Sequence, residues 1–143
     1  MNVPDLIPIR HDPQGRTGTI GAWQGGEFFA SFTCPVGQAK WYAALHRFDP
    51  AGRHLDSRIR ATGAEPEAAR LLLGEWLDAL PGREYRSIAI APFEVRVDGV
   101  LFGLVIEEED DEDEELEDDE RVTAELYPDQ LGFRAPWCGC YET

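Results

Sequence analysis

The sequence predicts an α+β domain: a mainly antiparallel sheet of about six or seven strands built from hairpins, with one amphipathic helix over about 65–80 packed on one face. Two pairs of alternating apolar stretches flank short turn signals, and one stretch between them follows the helical period. The composition agrees. With 43% hydrophobic residues, four Trp, four Tyr and seven Phe, a chain of 143 residues can bury a core without staples and is read as a single domain.

Residues 1–16 are punctuated by Pro4, Pro8 and Pro13, with Leu6, Ile7 and Ile9 as apolar anchors, and read as an extended arm packed on the body. Thr17–Trp23 and Glu27–Cys34 form a hairpin around Gln24-Gly25-Gly26, with Phe28, Ala30 and Phe32 on one face. Trp41–Phe48 and His54–Thr62 flank Asp49-Pro50-Ala51-Gly52, which has Asp, Pro and Gly where a type I turn wants them. With Gly52 in the left-handed bulge position, Asp49 faces Arg53, Phe48 faces His54 and His46 faces Asp56. Ala43, Leu45, Leu55 and Ile59 then share the core face. Tyr42, Ala44, His46 and Phe48 share the other face with His54, Asp56, Arg58 and Arg60.

The helix follows. Pro66 suits a first turn, Ala69, Leu72, Leu73, Trp76, Leu77 and Leu80 form the apolar stripe, and Pro81-Gly82 ends it. Phe93–Val97 and Val100–Ile106 then flank Asp98-Gly99, a two-residue hairpin signal that sets Phe93 against Leu104 and Val95 against Phe102. Alternation returns in Arg121–Tyr127, and the turn-rich tail Pro128–Thr143 carries Leu131, Phe133, Trp137 and Tyr141 as packing residues.

Charge is the most uneven property. The net charge is −15, yet thirteen of the fourteen positions from Glu107 to Glu120 are acidic, with Leu116 the exception. The other 15 acids face 13 bases, so the body is nearly neutral. This run, 107–120, is read as a disordered, solvated loop linking two neighbouring strands. A near-neutral body disfavours nucleic acid and anionic membrane surfaces as partners. No apolar run approaches the ~18 residues of a spanning helix, and Met1-Asn2-Val3-Pro4-Asp5 lacks a signal-peptide pattern, so a cytoplasmic protein is expected. Three cysteines fit a reducing compartment.

Candidate chemistry is sparse. Facing His46, Asp56 could orient its imidazole for acid–base work, with His54 and Arg58 on the same face, but no nucleophile is tied to them by a motif. Cys138-Gly139-Cys140 offers two thiols where zinc usually wants four ligands at wider spacing, so the pair is a weak metal candidate and no cofactor is expected. Dinucleotide, Walker, zincin and nucleophile-elbow fingerprints are absent. Glu107, Glu108, Glu109, Asp110 and Asp111, with Arg58 and His54, are the candidate partner-binding residues. The expected partner is another protein, plausibly a basic one met by complementary charge.

Several segments resemble a family of small proteins from high-GC bacteria that carry the name formate hydrogenlyase regulatory protein. The matching stretches include Trp41-Tyr42-Ala43-Ala44-Leu45-His46-Arg47-Phe48-Asp49, Trp76-Leu77-Asp78-Ala79-Leu80-Pro81, Asp98-Gly99-Val100-Leu101-Phe102-Gly103-Leu104-Val105 and Leu131-Gly132-Phe133-Arg134-Ala135-Pro136-Trp137. The resemblance spans nearly the whole chain and implies a cytoplasmic regulator. It supplies no catalytic residue or cofactor. The expectation is a non-enzymatic regulatory or protein-interaction module. Its alternatives are an immunity- or antitoxin-like inhibitor of a basic protein, and a small hydrolase or metal-dependent enzyme using His46 and Asp56.

Overall fold

The strand Tyr42–Phe48 is buried at six of its seven positions and has apolar residues on both faces, so it needs a layer on each side. A computed structural model of the protein, describing residues 4–12, 19–35, 37–108, 122–128, 130–133, 137 and 139, shows how both are supplied. The elements in order are β1 (Ile7–Ile9), β2 (Ile20–Trp23), β3 (Gly26–Thr33), β4 (Tyr42–Phe48), β5 (His54–Ala61), α1 (Pro66–Asp78), β6 (Glu84–Tyr85), β7 (Ile88–Ile90), β8 (Phe93–Val97), β9 (Val100–Glu108), β10 (Val122–Tyr127) and β11 (Leu131–Phe133). The class is α+β. Instead of one sheet of six or seven strands, three antiparallel sheets form: β5-β4-β3-β2-β6, β11-β10-β9-β8, and the ribbon β1-β7.

Helix α1 covers one face of the five-stranded sheet. Its Ala69, Leu73 and Leu77, with Leu80 just beyond, pack on Phe28 and Ala30 of β3 and on Ala43 and Leu45 of β4. The opposite face packs on the four-stranded sheet and the ribbon. Phe29, Phe48, Phe93, Leu104, Leu126 and Phe133 belong to this second cluster with Ile7, Ile9, Ile88 and Ile90. Fully burying each large apolar side chain contributes about 1.5–3 kcal/mol, so two clusters on one central strand set its position. Strands β1, β6, β7 and β11 escaped the sequence pattern because they are two or three residues long, too short to show a period, and the division of the longer strands between two sheets leaves no local mark.

The turns follow the sequence. Gly52 sits at φ 83 and its N–H donates to the Asp49 carbonyl at 2.9 Å, while Asp49 Oδ1 accepts from the N–H groups of Ala51 (2.8 Å) and Arg53 (3.0 Å). Asp98 and Gly99 have φ of 54 and 77, and the hairpin they close has the expected register, Phe93 against Leu104 and Val95 against Phe102. Strands β9 and β10 pair from Gly103–Tyr127 to Glu108–Val122, so the segment 109–121 joins two hydrogen-bonded neighbours. The helix starts at Pro66 and ends at Asp78, where the Arg83 guanidinium donates to the Leu77 carbonyl and lies 3.5 Å from Asp78. No described helix is long and apolar enough to cross a membrane.

Gly103, inside β9, has φ 146, and a Cβ there would lie 2.2 Å from the Phe93 carbonyl oxygen. Gly103→Ala is therefore expected to destabilise by about 2–4 kcal/mol, whereas Gly63→Ala, which meets open space, stays within about 0.5 kcal/mol. Urea unfolding of both variants checks this.

Candidate functional site

The β4–β5 hairpin carries most of the candidate chemistry, and one inserted residue decides how it is arranged. Phe48 faces His54 as the turn dictates, but the register then shifts, so Arg47 faces Asp56 and His46 faces Ser57. Leu55 is the extra residue of this bulge and is exposed, contrary to its expected core position. The expected His46–Asp56 pair does not form. A one-residue slip moves a side chain to the other face of a sheet, and here it sends Asp56, Arg58 and Arg60 to the helix side. Their expected neighbours Tyr42, Ala44, His46 and Phe48 face the second sheet, in the core instead of on a polar surface.

On the inner face, the Ser57 hydroxyl lies between two imidazoles, 2.6 Å from His46 Nδ1 and 2.7 Å from His54 Nε2. One hydroxyl can donate to one ring and accept from the other, so both contacts are satisfied together. Phe93 of β8 closes the group, stacked on His54 at 4.7 Å between ring centroids and tilted against His46 at 4.8 Å. His46 is 2% exposed. Loss of hydration, assisted by the nearby His54, lowers its pKa to about 3, so its ring is neutral near pH 7. Burial lowers the pKa of the half-buried His54 as well.

On the helix side, Arg47 grips Asp56 through Nε (2.7 Å to Oδ1) and Nη2, and this hydrogen bonding holds the Asp56 carboxyl below its ordinary value. The Arg47 guanidinium also lies 6.0 Å from the Trp23 ring centroid, and that of Arg58 lies 5.5 Å from Trp76. Arg47, Asp56, Arg58 and Trp76 border a cleft of about 300 Å³ floored by Leu45, Ala79 and Leu80. Ser57 also lines this cleft, while its hydroxyl is held between the two imidazoles. Neither His46 nor His54 lines the cleft. The hydroxyl–imidazole bridge has the geometry of a satisfied polar link between neighbouring strands of one sheet.

The acidic run begins inside the fold. Glu107 and Glu108 belong to β9, and the exposed Glu107 carboxylate accepts a hydrogen bond from the Tyr127 hydroxyl, which raises the tyrosine pKa. Glu109, Asp110 and Asp111, like the rest of the run to Glu120, lie outside the described residues, as do Cys138 and Cys140. Among the described residues no group of three or more His, Cys, Asp or Glu could hold a metal ion. Ser57 and Phe93 are the site residues that sequence reasoning missed. No motif marks either one, and only the bulge brings Ser57 opposite His46.

No family model, curated protein or solved structure matches the chain.

The buried His46 makes stability depend on pH. Its folded pKa lies below its unfolded value, so the unfolded chain takes up a proton that the folded protein excludes between about pH 6.5 and 3. Its contribution is complete above that window and falls by up to about 1.4 kcal/mol per pH unit as acid is added. His46→Gln cannot titrate and should flatten this part of the slope in urea unfolding at pH 7 and pH 5. An unchanged slope would show that the folded protein protonates His46 freely.

Proposed function

We propose that the protein is a non-enzymatic, cytoplasmic regulatory module that binds a basic protein partner through its acidic segment. The observation that carries this reading is the placement of the charge. Thirteen of 28 acidic residues lie within 107–120, while the two ends of the segment are held at neighbouring strands, Glu108 opposite Val122. A sheet fixes paired strands about 5 Å apart, so the acidic run is tethered at both ends to one β9–β10 pair of a nearly neutral body. Such a field raises the on-rate for a positively charged surface and selects against acidic ones. The resemblance to formate hydrogenlyase regulatory proteins supports the regulatory half of the proposal. The separation of His46 from Asp56 onto opposite sheet faces removes the support that an enzymatic reading had drawn from their pairing.

Replacing 109–121 with a short Gly-Ser linker is expected to leave the unfolding free energy within about 0.5 kcal/mol of the parent, because a run of like charges favours solvation over packing. The same change should slow association with a model basic protein such as cytochrome c by tenfold or more at low salt, on the order expected for lost steering. Stopped-flow association at two ionic strengths measures it. Equal rates for both proteins would sink the electrostatic reading.

A further inference from the structure

The β3–β4, β8–β9 and β10–β11 connections meet at one end of the molecule around a cleft of about 490 Å³. Its polar lining comes from Thr33, Gln38, Tyr127 and Gln130, and Val100 and Pro128 contribute apolar wall. No described lining residue is charged, on a chain in which 29% of residues are Asp, Glu, Lys or Arg. Asp98, next to the lining Gly99, is engaged with other groups: it accepts from the Tyr42 hydroxyl at 3.0 Å and lies 3.5 Å from Lys40.

The two glutamines are presented to this space by constrained backbone. The Gln38 N–H donates to the Pro35 carbonyl at 3.0 Å, and its own carbonyl accepts from the Cys34 thiol at 3.6 Å. Gln130 stands at φ 58, a left-handed conformation that glycine adopts more cheaply. Among the described residues neither side-chain carboxamide has a hydrogen-bond partner. Each therefore offers two N–H donors and a carbonyl acceptor to an incoming group. A charged ligand would lose hydration in this cleft and meet no counter-charge among the described lining residues. An amide loses little, because the carboxamides replace the water it gives up.

We propose that this cleft binds an uncharged amide, in the form of the main chain of an extended peptide segment. The peptide as occupant rests on the protein-interaction reading above, while the amide chemistry rests on the cleft alone. Peptide carbonyls accept from the carboxamide N–H groups of Gln38 and Gln130. A peptide N–H donates to a carboxamide oxygen.

The test uses the full chain and four probes: the capped tetrapeptide Ac-Ala-Ala-Ala-Ala-NH2, acetamide, acetate and arginine. The readouts are the side-chain amide resonances of Gln38 and Gln130, and the rate at which iodoacetamide alkylates Cys34, resolved at the level of the tryptic peptide. The tetrapeptide should shift both resonances saturably and slow alkylation, with acetamide acting more weakly and the ions not at all. Gln130→Gly should keep or raise the urea midpoint, since it relieves the backbone, yet weaken the tetrapeptide by about fivefold, as expected for a lost hydrogen bond. Tetrapeptide affinity unchanged in that variant, or shifts produced only by acetate or arginine, would overturn the site. Acetamide binding as tightly as the tetrapeptide would overturn the peptide as its occupant. Cleft binding should be indifferent to salt and to loss of 109–121, so its failure is separable from failure of the acidic contact.

Discussion

Strand β4 is buried on both faces, and every other layer follows from that constraint. Ala43 and Leu45 take α1; Tyr42, Ala44, His46 and Phe48 take the second sheet. A single helix can shield only one side of a sheet, so the four-stranded sheet and the β1–β7 ribbon are requirements of the core. The same burial forces a partner on the buried polar residue of β4. His46, at 2% exposure, finds the Ser57 hydroxyl, while the more exposed Arg47 pairs with Asp56 over the face of Trp23. A buried polar group without a partner costs about 1–3 kcal/mol, enough to favour the register that gives His46 its hydroxyl.

The bulge at Leu55 is how that register is reached. It separates the charges of β5 from its imidazole, leaving Asp56, Arg58 and Arg60 on the helix side and His54 beneath Phe93. Two neutral rings joined by a hydroxyl can occupy an apolar interface that would reject an ion pair. The bulge also serves the sheet edge. Strand β5 is the outermost strand of its sheet, and a bulge with exposed arginines on such a strand discourages pairing with another chain.

Strand β9 connects the two surfaces to which function is assigned. Val100 lines the cleft of Gln38 and Gln130 at one end, and Glu107 and Glu108 begin the acidic run at the other. At the rise of an extended strand these points lie roughly 27 Å apart. A partner using both would present a basic patch and an extended segment separated by that distance. The two contacts differ in character: salt weakens the first, and hydrogen-bond geometry governs the second.

The sequence by itself determined the α+β class, the three hairpin turns, the helix and its buried stripe, and the join of β9 to β10 around the acidic run. These are local features, set by Gly and Pro backbone preferences and by period. It also determined that the charge of −15 is concentrated in one segment, since counting needs no fold. Only the tertiary structure decided which face of β4–β5 is polar. That choice depends on an unsignalled bulge whose position is fixed by burial of Phe48 and His46 against Phe93, a residue more than forty positions further along the chain. The ribbon β1–β7 and the cleft of Gln38 and Gln130 were hidden for the same reason. Their strands or loops are short, and the contacts that create them join residues distant in sequence, which no local pattern records.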